Sequence, residues 1–264
     1  MSSLLMQLRQ HWQLLQLAIG FLTRLPMSSQ LLYSPDRMHS ALGYFPLVGW
    51  LLGLLLMPVY LLAEAGLGMA PAVCVLLITS LLLTGALHED GLADCFDGFY
   101  GGLDQPHKLR ILKDSRLGTY GSSALLLALL FKYLLLVALA EQGELLLALL
   151  IGYPLSRAMA ITHAQDLPYV SAPGTSKSDP LAHPMNTALL MQVLVTGAAG
   201  LLWLPFWSAW VLVIAVVVMR WWLKRWMSKH LYGFTGDSLG AAQQLQELLI
   251  YSVLLALANG GQLA

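Results

Sequence analysis

The chain has 264 residues, of which 58% are apolar and 11% charged, and its mean hydropathy is +0.68. Soluble proteins contain about 45–50% apolar and about 25% charged residues. The charged residues of this chain are too few to cover the surface of soluble domains, so the composition predicts an integral membrane protein. Lys and Arg total 14, as do Asp and Glu, which excludes a basic nucleic-acid-binding protein. Two cysteines offer no disulfide framework.

Residues 1–25 are predicted to form an amphipathic helix at the membrane surface rather than a span. The segment contains a short apolar run, but also four Gln and Arg9. No small-residue cleavage site follows it, so a secretory signal peptide is not expected.

Seven apolar runs follow, each close to the ~17–25 residues that a transmembrane helix needs. They lie at 42–62, 71–87, 121–140, 145–161, 187–204, 206–221 and 241–258. The sequence therefore predicts an all-α polytopic integral membrane protein, a single domain over residues 1–264 with about seven transmembrane helices. Lys and Arg are concentrated in alternate connections, a distribution typical of cytoplasmic loops. It predicts a cytoplasmic N-terminus and cytoplasmic loops at 88–118, 162–186 and 220–240.

The acidic segment 88–98 lies at the end of an apolar run. Asp90, Asp94 and Asp97 are spaced i, i+4, i+7 and would share one face of a helix. Carboxylates on one face repel each other, and Mg²⁺, which proteins bind through one or two carboxylates plus phosphate oxygens, would offset the repulsion. We therefore predict these aspartates as Mg²⁺ ligands, with Glu89 contacting either the metal or only solvent. A solvated acidic loop is the less favoured alternative.

Two arginines are candidates for binding phosphate, because a guanidinium offers a planar fork of donors. Arg116 follows Asp-Ser in a polar loop, and Arg157 lies near the predicted cytoplasmic end of its span. A charge at such a depth usually faces the protein interior. Lys132 lies in the middle of another apolar run, where it could pair with an acidic residue.

A glycine-rich segment, 233–241, leads directly into the last predicted span. Gly236, Asp237 and Gly240 lie in it. The N-terminus of a helix after such a turn could bind an anion, and these three residues are candidates for substrate binding. Asp237 could instead cap the helix or complete the metal site.

Three motifs of the chain resemble those of the adenosylcobinamide-GDP ribazoletransferase (cobalamin synthase) family. They are His-Glu-Asp-Gly-Leu-Ala-Asp-x-x-Asp-Gly at 88–98, Asp-Ser-Arg-x-Gly at 114–118 and Thr-Gly-Asp-x-x-Gly-Ala at 235–241. Shorter matches in the expected order are found at 23–26, 45–49 and 156–158. The resemblance covers nearly the whole chain, but 164–186 match no motif.

The resemblance implies a Mg²⁺-dependent enzyme at the cytoplasmic face of the bacterial inner membrane. Its substrates would be adenosylcobinamide-GDP and α-ribazole (or its 5′-phosphate), and its products adenosylcobalamin (or its 5′-phosphate) and GMP. Mg²⁺ would bridge the diphosphate, and Arg116 and Arg157 would neutralise the remaining oxygens. His88 or one of the aspartates would accept the proton of the attacking hydroxyl. Association with other enzymes of cobalamin biosynthesis, or with further copies of the chain, stays open.

A cation transporter with the aspartates as its ion site is the alternative function. Transporters often contain internal repeats and acidic residues near the bilayer midplane. Here no repeat is evident, and six of the fourteen acidic residues lie between 89 and 114. The sequence favours the enzyme.

Overall fold

The computed structural model describes residues 2–28, 31–171 and 179–263. In these ranges the chain forms eleven α-helices, joined by loops and short 3-10 turns. They are α1 (Ser2–Leu22), α2 (Pro35–Ala41), α3 (Phe45–Leu67), α4 (Met69–Thr84), α5 (Leu87–Gly101), α6 (Gln105–Ile111), α7 (Thr119–Glu141), α8 (Leu145–Ile161), α9 (Thr187–Ala198), α10 (Phe206–Leu231) and α11 (Gly236–Asn259). The all-α prediction is confirmed. Residues 172–178, part of the segment that matches no motif, lie outside the described residues.

Five helical segments of the described chain are long and apolar enough to cross a membrane. They are Pro35–Leu67, Thr119–Glu141, Leu145–Gln165, Phe206–Leu231 and Gly236–Asn259. A sixth span results if α4 and α5, which are bent by 86°, count as one. The run at 187–204 corresponds to a shorter apolar helix, Thr187–Trp203. A polytopic helical membrane protein is therefore confirmed, with five or six candidate spans, while the seventh span and the sidedness stay predictions.

Helix α8 lies at the centre of the bundle. In the most apolar 18-residue stretch of its span, 89% of the residues are buried inside the protein, against 28% for α7 and 22% for α10. Helices α7 and α10 therefore leave most of their surface for lipid. Glycine permits the close packing of α3 on α8: a Cβ at Gly49 would lie 2.6 Å from the backbone nitrogen of Pro154. Helix α11 also packs closely on α8, because the ring of Tyr251 in α11 lies against Gly152 in α8.

A sharp break separates α4 from α5. Gly85 and Ala86 have φ of 64° and 55°, and two successive left-handed residues end a right-handed helix. Helix α5 therefore leaves α4 at a steep angle instead of continuing it. It packs on the start of α11, where a Cβ at Gly91 would lie 2.6 Å from the backbone oxygen of Asp237. This contact brings the first and third sequence motifs together.

Candidate active site

An open cleft of about 500 Å³ lies between α5, the segment that follows α6 and the start of α11. Asp90, Asp94 and Asp237 line it, and we call it the acidic cleft. Asp90 is exposed and the other two are partly buried. Asp94 is repelled by both of the others, while Asp237 is attracted by Lys113, a basic residue of the lining. The predicted helix over 88–98 thus presents two of its three aspartates to one cavity.

Asp97 is buried and contacts the start of α7. Its carboxylate accepts hydrogen bonds from the backbone N–H groups of Gly118 and Gly121, at 2.7 and 2.8 Å. Gly118, the residue before the helix, has no side chain to cap it, so Asp97 supplies the acceptor that the free N–H groups of a helix N-terminus need. The role of Asp97 as a metal ligand stays a prediction; the contacts seen here are structural.

Glu89 belongs to a buried charge cluster with Lys132, Gln244 and Glu247. Glu89 accepts a hydrogen bond from Gln244 at 3.0 Å and lies 3.8 Å from the Lys132 ammonium. Lys132 also lies 3.1 Å from Glu247 and donates to the Gln244 oxygen at 2.7 Å. The predicted pairing of Lys132 with acidic residues is therefore present. The contacts of Glu89 with Lys132 and Gln244 join α5 to α7 and α11. Glu89 also belongs to the lining of the acidic cleft.

A second cavity, the inner pocket, adjoins the acidic cleft. Its lining includes five predicted site residues: His88, Arg157, Gly236, Asp237 and Gly240. Asp237 lines both cavities. His88 and Arg157 are only 8% and 3% exposed, so both present polar groups in a place that is nearly closed to bulk water.

Arg116, like Asp97, is a predicted site residue that lines neither cavity. Its side chain is 87% exposed and forms an ion pair with Asp114 at 2.6 Å. The hydrogen bonds from Arg116 lower the pKa of the Asp114 carboxyl below its usual range. Because Asp114, Ser115 and Leu117 line the acidic cleft, Arg116 lies on a loop that flanks it. Its role as a phosphate clamp stays a prediction.

Sequence reasoning missed three polar residues of α11. Gln243 lines the inner pocket, and Gln244 and Glu247 belong to the buried charge cluster. A signal was present in the sequence, because polar side chains one turn apart in an apolar span usually face the protein interior. To predict the cluster, one would also have to recognise that these side chains pair with Lys132, which lies in a different span.

The acidic cleft has the donor chemistry of a Mg²⁺ site, namely carboxylate oxygens that repel one another. In the described part of the chain, however, no group of three or more His, Cys, Asp or Glu side chains is arranged to hold a metal ion. The four predicted ligands, Glu89, Asp90, Asp94 and Asp97, therefore do not converge on one point. The cleft still fits Mg²⁺, because this ion commonly takes one or two carboxylates and completes its coordination with phosphate oxygens and water.

Comparison with known proteins identifies the family. Residues 14–255 match the profile of the family described as cobalamin-5-phosphate synthase. The chain belongs to this family. The resemblance noted from the motifs is thereby confirmed, and it places the chain among the transferases of cobalamin biosynthesis.

Three relatives illustrate how far the similarity extends, and all are named adenosylcobinamide-GDP ribazoletransferase. The protein of Pseudoalteromonas atlantica is 51% identical over 249 residues, which cover 94% of this chain and 93% of the relative. That of Vibrio vulnificus is 46% identical over 245 residues, covering 93% and 96%. That of Ralstonia pickettii is 42% identical over 251 residues, covering 94% and 97%. No solved structure matches the chain.

Proposed function

We propose that this protein joins adenosylcobinamide-GDP and α-ribazole, or α-ribazole 5′-phosphate, to form adenosylcobalamin, or its 5′-phosphate, and GMP. The names of its relatives support this proposal. The observation that carries it is the meeting of two cavities at Asp237. A transferase with two substrates needs two neighbouring sites, one suited to a charged diphosphate and one to the acceptor.

In the proposed reaction a hydroxyl oxygen of α-ribazole attacks the phosphorus on the cobinamide side of the diphosphate. An oxygen–phosphorus bond forms, and the bond from that phosphorus to the bridging oxygen breaks. The bridging oxygen keeps the electron pair and leaves as part of GMP, while the hydroxyl proton passes to a carboxylate of the acidic cleft or to His88. Such transfers depend mainly on positioning and on neutralisation of charge, which the cleft and its flanking basic residues are suited to provide.

A Mg²⁺ ion in the acidic cleft is part of this proposal. Asp90 and Asp94 would hold it, with Asp237 approaching from α11 and substrate phosphate oxygens completing the coordination. When bound, the ion would neutralise charge on the diphosphate and on the departing GMP. The mutual repulsion of these carboxylates supports the assignment. We give Asp97 and Glu89 a supporting role, because their carboxylates already contact backbone N–H groups and Lys132.

We further propose that the whole chain is a single domain in the bacterial inner membrane, with both cavities open to the cytoplasm. The alternation of Lys and Arg between successive connections supports this orientation. A cysteine introduced at exposed Asp104, which caps α6, should react with a membrane-impermeant thiol reagent only from the cytoplasmic side. Reaction from the periplasm alone would contradict the orientation.

The decisive experiment follows GMP release by the purified protein in lipid nanodiscs, with both substrates and with or without Mg²⁺. We expect GMP and the corrinoid product in equal amounts, and none after chelation of the metal. Asp94→Asn should abolish turnover, whereas Asp36→Asn, at an exposed site in α2, should not. Absence of GMP release from the wild type would contradict the proposed function, and cation flux through reconstituted vesicles would then favour the transporter.

A further inference from the structure

The inner pocket contains polar groups that the protein itself leaves without partners. Arg157 is 3% exposed, and among the described residues its Nε has no hydrogen-bond partner. One terminal nitrogen donates to the backbone oxygen of Tyr153 at 3.0 Å, and the guanidinium lies 5.1 Å above the Tyr153 ring. A buried donor without an acceptor is unfavourable. Its position in the wall of a cavity indicates that a ligand supplies the acceptor.

The rest of the wall is mainly apolar and aromatic. Phe21 of α1 and Phe45 of α3 stack at 5.5 Å between ring centroids, and both line the pocket together with Leu181. An apolar and aromatic lining with a few well-placed polar groups is typical of small-molecule sites, and the two rings suit a flat ligand. The pocket is small, about 80 Å³ against about 500 Å³ for the acidic cleft, so it takes a compact, flat group and leaves the rest of a ligand at its mouth.

Asp237 joins the inner pocket to the acidic cleft. Asp237 lies next to the first turn of α5. In that turn His88 lines the inner pocket and Asp90 lines the acidic cleft. A molecule in the pocket can therefore present a group to Asp237 at the edge of the cleft. The carboxylates of the cleft would repel a second anion unless a cation were present, so the pocket suits the less charged substrate.

We infer that the inner pocket binds the nucleoside acceptor, α-ribazole. Its flat aromatic base packs against the two phenylalanines, and a lone pair on the ligand accepts from Arg157 Nε. Its reacting hydroxyl lies beside Asp237, at the edge of the acidic cleft that holds the phosphorus to be attacked. The inference rests on the proposed function, which names the acceptor. The corrinoid donor is far too large for this cavity, and its diphosphate belongs with the cleft.

Equilibrium dialysis of labelled α-ribazole against the full-length protein in nanodiscs tests the inference without turnover. Arg157→Gln should weaken α-ribazole binding about tenfold or more, because a hydrogen bond from a charged donor is lost. Phe21→Ala should weaken it by a smaller factor. Arg225→Gln, an exposed arginine that stacks on Trp221, and Asp94→Asn in the cleft should leave α-ribazole binding unchanged. GMP should not compete with α-ribazole.

Steady-state kinetics supply the second readout. Arg157→Gln should raise KM for α-ribazole by a factor similar to the loss of binding, and leave KM for adenosylcobinamide-GDP within about twofold of wild type. Phe21→Ala, at a partly buried site in α1, decides the matter if size-exclusion chromatography shows that Arg157→Gln does not fold.

Three outcomes would overturn the inference: no saturable binding of α-ribazole, equal binding by both pocket variants and wild type, or competition by GMP, which would assign the pocket to the guanosine end of the donor. These failures differ from a failure of the proposed function. A wild type that releases GMP normally while the pocket variants keep their α-ribazole affinity refutes only the pocket assignment. A wild type that binds α-ribazole in the pocket but releases no GMP refutes only the function.

Discussion

Glu89 and Asp90 are neighbours in the first turn of α5, yet they belong to two acidic regions with opposite environments. Glu89 lies in the buried charge cluster, where it shares Lys132 with Glu247 and accepts a hydrogen bond from Gln244. Asp90 lies in the acidic cleft, which is open to solvent and whose lining includes five carboxylates. In the first region Lys132 compensates part of the negative charge, whereas the second is where we propose that a cation binds.

The difference separates what holds the bundle together from what acts on a substrate. In the interior, an acidic group must be paired, because an uncompensated charge there is strongly unfavourable. At the cleft, repulsion between carboxylates costs only a little in solvent and is relieved when a ligand binds. Variants of the cluster should therefore change stability first, and variants of the cleft should change activity first.

The largest effect on stability is expected for Lys132→Met. The substitution leaves Glu89 and Glu247 buried without a cation, and breaking a buried ion pair costs about 3–5 kcal/mol. Thermal unfolding in detergent should show a strongly lowered Tm or no folded protein. Adding Glu89→Gln and Glu247→Gln to Lys132→Met should restore much of the lost stability. A triple variant as unstable as the single one would show that the charges are not what stabilises this contact.

The buried charge cluster shows where sequence reasoning stops. Lys132 was recognisable as a charge in need of an acidic partner, but Glu89 and Glu247 lie in other helices, and the pairing depends on how α5, α7 and α11 pack. The acidic face of α5 could be predicted, since i, i+4, i+7 spacing depends only on helix geometry. Which of its aspartates faces the cleft could not, because α7 covers Asp97 and leaves Asp94 open.

The break before α5 is a second feature that could not be predicted from the sequence. Glycine at 85 is compatible with a left-handed residue, but Ala86 also has positive φ, and alanine ordinarily favours a right-handed helix. Tertiary packing against α11 outweighs this local preference. The contact that assembles the two cavities, Gly91 against Asp237, is likewise a long-range property, although the motifs that contain both residues were identified from the sequence.

Asp97→Ala should have the next largest effect on stability. It removes the acceptor of two backbone N–H groups at the start of α7, in a buried place, so we expect a loss of about 2–4 kcal/mol. Asp104→Ala is the matched control, because Asp104 accepts from the His107 N–H at 2.8 Å at an exposed helix start, where a cap contributes about 1 kcal/mol. Denaturation of both variants measures the difference. Equal losses would mean that burial of the Asp97 contact adds nothing.

Asp94→Asn should behave in the opposite way. Stability should be unchanged or slightly increased, since one of the mutually repelling charges is removed. Turnover should fall about 100-fold or more, because a carboxylate of the proposed metal site is lost. Tm and the rate of GMP release should be measured on the same preparation of the variant. A variant that loses stability while keeping its rate would place Asp94 with the structural carboxylates.

Arg116→Ala should have the smallest effect. The ion pair with Asp114 is exposed and exposed pairs contribute little to stability, so Tm should not change. If the flanking loop turns its guanidinium toward the diphosphate, KM for adenosylcobinamide-GDP should rise, by up to about tenfold for one lost phosphate contact, with KM for α-ribazole unchanged. Arg110→Ala, an exposed arginine of α6 outside the cleft lining, serves as the control. An unchanged donor KM for Arg116→Ala would refute the phosphate-clamp prediction and leave neutralisation of the diphosphate to the groups that line the cleft.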